Sequence, residues 1–234
     1  VSSLLADSTW PLVQGTPADA VLAIPVGATE QHGPHLPLST DSDIAVALAR
    51  ELAARRPGVV VAPLLPYGSS GEHAGFPGTL SIGREATELV LLELCRSATE
   101  SFDRVLLIST HGGNAGPVRA AVARLREEGR DVRAWGPHWE GDAHAGATET
   151  SVMLALDPGR VGPEPAEAGN TDAIDRLISD LVEQGVRQLS PSGILGDPRG
   201  ASAGHGRTLL EMAAADLEAT VAAWRAPETA GSRR

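Results

Sequence analysis

Short, continuous apolar runs alternate along the chain with longer segments whose apolar residues recur every three or four positions. This is the pattern of parallel α/β architecture. Residues 20–26 (AVLAIPV) are almost wholly apolar and stop at Gly27, which predicts a strand buried on both faces. Over residues 41–55, Ile44, Ala45, Leu48, Ala49 and Leu52 have helical spacing. Residues 59–62 restore a strand before Pro63, and residues 84–101 read as a second helix with Leu89, Leu92 and Leu94 among its apolar positions. Residues 104–109 (RVLLIS) form another buried strand that runs straight into Thr110-His111-Gly112-Gly113-Asn114.

A helix over 117–128, a strand near 132–135 and a helix over 148–156, halted by Asp157-Pro158, continue the order. Pro163-Glu164-Pro165 marks a loop and 171–188 a helix; the Gly-, Pro- and Ser-rich 190–204 reads as a long loop and 207–224 as a closing helix. No repeat or low-complexity linker interrupts this series. The expectation is one α/β domain spanning residues 1–234, with a mostly parallel central sheet.

Composition narrows the function. Thirty acidic residues against nineteen basic ones give a formal charge of −11, which repels a phosphate backbone unless a basic patch overrides it. The arginines are scattered, and Arg233-Arg234 reads as a loose tail, so nucleic acid is not an expected partner. No apolar run is long enough to span a bilayer, and Val1-Ser2-Ser3-Leu4-Leu5-Ala6-Asp7 lacks the basic leader and apolar core of a signal peptide. Cys95 is the sole cysteine, so no intramolecular disulfide is possible and a reducing, cytoplasmic compartment is expected.

Ligands of open parallel sheets bind beyond the carboxyl ends of the strands. Glu30-Gln31-His32-Gly33-Pro34-His35 follows the first strand and leads to Asp41, and His111-Gly112-Gly113-Asn114 follows the strand at 104–109. A third polar cluster, His144-Ala145-Gly146-Ala147-Thr148-Glu149-Thr150, precedes a helix. Four of the seven histidines fall in these three segments, more than scatter favours. In extended backbone Glu30 and His32 share one face. Asp41 taken alone reads as a helix N-cap. His35 and His73 read equally well as hydrogen-bonded loop or core histidines, and His138 and His205 carry no assignment. Imidazoles and carboxylates without thiolate suit zinc, ferrous iron or manganese. Glu30, Asp41 and Glu149 against two divalent cations leave a net charge of +1, which one hydroxide would balance.

At these residues the chain resembles the creatininase family. The resemblance is carried by Pro25-Val26-Gly27-Ala28-Thr29-Glu30-Gln31-His32-Gly33, by His35-Leu36-Pro37-Leu38 through to Asp41, and by Phe76-Pro77-Gly78-Thr79, His111-Gly112-Gly113-Asn114 and Glu149-Thr150-Ser151. It implies a three-layer α/β sandwich, two divalent metal ions per subunit (zinc, iron or manganese), hydrolysis of amide C–N bonds and a homo-oligomer. Carried over by position, Glu30 and His111 would bind one metal, His32 the other, and Asp41 both. Creatininase itself has a glutamate ligand two residues after the histidine matching His111. Gly113 stands there, so Glu149 is the expected substitute, against a plain helix-surface reading. His144 falls where the family places a catalytic histidine able to pass a proton to the leaving amine.

Thr9-Trp10-Pro11, the His-Gly-Gly-Asn form and Leu195-Gly196-Asp197-Pro198 are similar to the family's mycofactocin-system branch. That branch removes a carboxy-terminal Val-Tyr dipeptide from a modified precursor peptide. The loops at 67–79, with His73, and 190–204 are expected to shape the substrate cleft. Gly112 and Gly113 are expected to let the substrate approach the backbone closely, and Arg199 and Arg207 are candidates for holding a peptide carboxylate. The alternatives are an amidohydrolase acting on a cyclic amide or a formamide, and a non-catalytic metal-binding scaffold.

Overall fold

The computed structural model describes residues 3–162 and 167–224; the expected loop at 163–165 and the Arg233-Arg234 tail lie outside the described residues. In chain order the elements are α1 (Trp10–Gln14), β1 (Val21–Val26), α2 (Thr40–Arg55), β2 (Val59–Val61), α3 (Arg84–Ala98), β3 (Arg104–Ser109), α4 (Ala115–Glu127), β4 (Asp131–Trp135), α5 (Ala147–Leu156), α6 (Ile174–Gln184), α7 (Val186–Leu189) and α8 (Ala203–Ala222). The four strands form one sheet in the order β2-β1-β3-β4, and every pairing is parallel.

A parallel sheet of apolar strands must be covered on both faces, and alternate side chains along a strand serve opposite layers. Val21 and Ala23 of β1 and Leu106 and Ile108 of β3 pack with Ile44, Leu48 and Leu52 of α2, Val152 and Met153 of α5, and Leu209 and Leu217 of α8. Leu22, Ile24, Val26, Val105 and Leu107 face the other way, against Leu91 and Cys95 of α3 and Val118, Ala121 and Leu125 of α4. The result is the expected three-layer α/β sandwich. No helix among the described residues is long and apolar enough to cross a membrane.

Several boundaries differ from the sequence expectation for local reasons. The single helix expected over 171–188 is two, α6 and α7, because Gly185 at φ 76° breaks the helical path. The closing helix starts at Ala203 rather than 207: Ser202 caps it by accepting from the His205 N–H. Gly206 within it is required by packing, since a Cβ there would lie 1.8 Å from the Ser151 carbonyl oxygen of α5. Along α3 the inward face is Leu91 and Cys95, while Leu89 and Leu94 are exposed.

The topology fixes where chemistry can occur. From β1 the chain crosses to β2 on one side, then returns to β3 on the other, so the crevice between β1 and β3 is the switch point. Val26 and Ser109, the last residues of these strands, are register partners. The segments that begin at Gly27 and Thr110 therefore leave the sheet side by side.

Candidate metal centre

Close backbone approaches bring the two segments together. A Cβ on Gly27 would lie 2.5 Å from the Ser42 Cα, so only glycine lets the start of α2 press against the end of β1. Ser42 Oγ donates to the Ala28 carbonyl at 2.9 Å, and Thr110 Oγ1 donates to the Asp41 carbonyl at 2.7 Å. Asn114 joins a third segment: its Oδ1 accepts from the Ser69 N–H at 2.9 Å and its Nδ2 donates to the Gly27 carbonyl at 3.0 Å. Asp41 is thus held at the switch point inside the first turn of α2. Ser39 occupies the N-cap position and Asp41 makes no capping hydrogen bond, so the capping account of Asp41 does not hold.

Glu30, His32, Asp41, His111 and Glu149 converge. His32 Nε2 lies 3.7 Å from Asp41 Oδ1 and 3.9 Å from Glu149 Oε2. On the other side of Asp41, His111 Nδ1 lies 3.6 Å from Oδ2, and Glu30 Oε2 lies 3.1 Å from His111 Nε2. Glu30 and His32 are 0% exposed and Asp41 2%. Both Glu30 carboxylate oxygens, His32 Nε2 and Asp41 Oδ2 are buried without a hydrogen-bond partner among the described residues. Burying such groups unpaired is costly, whereas a cation would satisfy all of them at once. The tautomers agree: His32 Nδ1 bonds to the Glu30 carbonyl at 3.1 Å and His111 Nε2 to the Ser69 carbonyl at 2.9 Å. Each ring then directs its lone pair, on His32 Nε2 and His111 Nδ1, at Asp41. Mixed nitrogen and oxygen donors with outward ring N–H groups held by carbonyls fit divalent metals.

Glu149 does not lie on the helix surface. Its Oε2 accepts from the Ala145 N–H at 2.6 Å across a turn in which Ala145 takes φ 53°, and it also lies 3.8 Å from His144 Nδ1. His144 and His73 flank the centre, with ring centroids 4.3 Å from His32 and 6.1 Å from His111 respectively. Three overlapping groups of ligand-type atoms result: Glu30 with Asp41 and His111, His32 with His144 and Glu149, and Glu30 with His73 and His144.

Electrostatics divides the histidines. Burial pulls His32 and His111 down, but carboxylates outweigh it and raise both to about 10, with Asp41 foremost for His32 and Glu30 for His111. Burial dominates at His73, lowered to about 4, and at His144, which lies well below the usual imidazole range. Burial pushes Glu149 up to about 7, with Asp41 adding to the rise and His32 opposing it. Burial also pushes the Glu30 carboxyl up, yet His111, His73 and His32 hold it at about 2.

The two glycines after His111 face different surroundings. Gly112 opens onto free space, whereas a Cβ on Gly113 would meet the Ser69 carbonyl oxygen at 2.2 Å, Glu72 Oε1 at 2.3 Å and His111 Nε2 at 2.4 Å. Glu72, 3.5 Å from His111, is a site carboxylate that the sequence reading missed, and Gln31 is a second missed residue. The only signal for either was adjacency to a candidate, His73 for Glu72 and Glu30 with His32 for Gln31. Both expected cleft loops reach the centre: 67–79 carries Glu72 and His73, and Leu195 of 190–204 pairs with His144. His35 is not drawn in, its Nε2 lying 2.8 Å from Thr150 Oγ1. His138 and His205 are exposed, as is Arg207, and Arg199 is engaged by Asp197 at 2.7 Å.

Known proteins share this arrangement's fold and sequence. Residues 6–221 match the creatininase family, described as creatinine amidohydrolase. The chain is 48% identical to the mycofactocin precursor peptide peptidase of Mycolicibacterium smegmatis, over 82% of this chain and 81% of that one. It is 44% identical to the protein of the same name from Mycobacterium ulcerans, over 93% and 87%. Among solved structures, a mutant creatininase of the Zn-Zn type superposes with a TM-score of 0.77 at 25% identity, covering 94% of this chain and 97% of that one. The chain belongs to the creatininase family, metal-dependent hydrolases of C–N bonds.

Proposed function

We propose that this enzyme is a peptidase that removes a carboxy-terminal Val-Tyr dipeptide from a modified precursor peptide, in keeping with the names of the relatives 44–48% identical to it. In this reading Glu30, Asp41 and His111 would hold one divalent ion, and His32, Asp41 and Glu149 would hold a second. The observation that carries it is Asp41, whose two oxygens face different imidazoles, Oδ1 toward His32 and Oδ2 toward His111. Zinc, iron and manganese all suit these donors.

Bound divalent ions supply an activated water and polarise the scissile carbonyl. The chain's own residues do the rest. His144 is neutral and keeps a lone pair on Nδ1, so it takes a proton there and returns it to the departing amine. Gly112, with open space in front of it, admits the substrate backbone, and His73 lies on the substrate side of the centre, its ring 6.1 Å from that of His111. The lone Cys95 supports a reducing, cytoplasmic setting. Exposed Leu89, Val90 and Leu94 on α3 support self-association into a homo-oligomer.

Incubating the metal-loaded enzyme with precursor peptide and, separately, with creatinine tests the reading by mass spectrometry. Release of the dipeptide, lost in Glu30→Gln and Asp41→Asn, is the expected result. An intact peptide beside consumed creatinine would transfer the site to the cyclic-amide reading, which the family description favours.

A further inference from the structure

Gln31 lies between two proposed ligands and is itself 5% exposed. Its amide orientation is set by two backbone groups: Oε1 accepts from the Gly33 N–H at 2.9 Å, and Nε2 donates to the Gly193 carbonyl at 3.1 Å. Flipping the amide would set oxygen against oxygen and N–H against N–H, so these contacts exclude the flip. The second amide proton then has two ring nitrogens within reach, His73 Nδ1 at 2.8 Å and His144 Nε2 at 3.1 Å, and the His144 proton decides between them.

The imidazole protons follow. A ring nitrogen that accepts a proton donor carries none of its own, so His73 holds its proton on Nε2, 3.1 Å from Glu30 Oε1. His144 Nε2 lies 2.9 Å from the Gln31 carbonyl, which can only accept, so that nitrogen carries the proton and Nδ1 keeps the lone pair. With both protons of the Gln31 amide already used, its 3.1 Å approach to His144 Nε2 is a contact and not a bond. A Cβ on Gly193 would lie 1.8 Å from Gln31 Oε1, so the 190–204 loop keeps a glycine where this amide sits.

We infer that Gln31 is a positioning residue that sets both tautomers, holding His73 as a neutral Nε2–H donor beside Glu30 and excluding it from the metal ligands. The group formed by Glu30, His73 and His144 is then not a third cation site, although its atoms lie close enough for one. A fixed donor beside Glu30 costs no reorganisation when negative charge develops on a substrate oxygen. The contribution of Gln31 to turnover rests on the peptidase reading, whereas the tautomers follow from hydrogen bonds alone.

Long-range ¹H–¹⁵N correlation spectra of the zinc-loaded full chain read the ring protons directly. The expected result is a bare Nδ1 and a protonated Nε2 on His73. Gln31→Glu keeps an acceptor for Gly33 but removes the donor, and should move the His73 proton to Nδ1. It should also lower kcat on the precursor peptide about 10–100-fold, with KM and metal content close to wild type. A protonated Nδ1 on His73 in the wild-type enzyme would overturn the assignment, whether or not the variant folds. Unmoved His73 signals in Gln31→Glu would overturn the role of Gln31 in setting them. The expected tautomers with unchanged kcat would remove its part in turnover, and a wild-type enzyme inert toward the peptide would sink the peptidase reading while leaving the spectra decisive.

Discussion

Gly112 and Gly113 are neighbours of the same type, yet alanine at each should give opposite outcomes. At 113 the new methyl would lie 2.2 Å from the Ser69 carbonyl oxygen and 2.4 Å from His111 Nε2, more than 1 Å inside ordinary contact in the first case. Those two atoms are hydrogen-bonded to each other at 2.9 Å, so the methyl wedges the bond that orients a proposed ligand. The Glu72 carboxylate, also in the way at 2.3 Å, can swing out; the Ser69 carbonyl is backbone and cannot. Overpacking of this kind costs about 1–3 kcal/mol. For a chain of this length that is roughly 2–4 °C in Tm per kcal/mol. Moving a ligand by about 1 Å adds on the order of a hundredfold loss in turnover. At 112 nothing lies within 4 Å, so alanine should be neutral or stabilising by up to about 1 kcal/mol. Calorimetry, metal titration and dipeptide release would be read on both variants and on Gly113→Ala combined with Glu72→Ala. Recovery of metal affinity in the double variant would place the conflict on Glu72 rather than the Ser69–His111 bond. A Gly113→Ala enzyme with wild-type Tm and metal affinity would refute the reasoning altogether.

Three further outcomes rest on the same geometry. Stripping the metals with a chelator should lower Tm, because ions that bind only the folded chain contribute about 2.7 kcal/mol at a hundredfold excess over Kd; an unchanged Tm in calorimetry would count against resident ions. The metal-stripped protein should lose stability as pH rises from 6.5 toward 10, since His32 and His111 bind protons more tightly folded than unfolded; denaturant titrations at several pH values that showed a rise would contradict the assigned ion pairs. Asp142→Ala should cost about 0.5–2 kcal/mol by denaturant titration, because its carboxylate accepts from the Ala147 and Thr148 N–H groups at the start of α5. A change within error there would mean that Asp142 does not cap the helix.

The strands and the location of the centre were legible because β1 and β3 are buried on both faces and must read as unbroken apolar runs. The polar residues that follow such runs stand out without any knowledge of pairing. Register was not legible: nothing in the two runs says that Val26 faces Ser109, and that pairing sets His111 beside Glu30. Glycines misled where they serve packing instead of ending a helix, as Gly206 does against α5. Gln31 and Glu72 lay hidden for a related reason. A buried amide or carboxylate is recognisable only by its partners, and the two acceptors of the Gln31 amide protons lie 42 and 162 residues away. Glu149 was separable from a surface glutamate only through the left-handed Ala145, a feature that alanine gives no reason to expect.

The imidazoles divide into two classes according to which effect wins, neighbouring carboxylates at His32 and His111 and burial at His73 and His144. Glu30 and Asp41 are buried and meet a largely covered Glu149, and so much negative charge away from solvent must be compensated. In the metal-stripped chain protons supply the compensation, on His32 and His111 near 10 and on Glu149 near 7. The additional proton that makes each ring an imidazolium sits on His32 Nε2 or His111 Nδ1, the atoms that face Asp41, so a proton and a cation would compete for one position. His73 and His144 lie only 4.6 Å apart and within 6.1 Å of the charged pair, yet they are driven the other way. His144 directs its N–H at a backbone carbonyl and His73 takes one from an amide, so neither gains enough from a charge to offset burial. If His32 and His111 are ligands as proposed, loading the centre would exchange their protons for metal ions and leave the charge beside His73 and His144 positive. The flanking pair would then stay neutral with the centre filled as it is without metal, as a fixed donor and an available base must be.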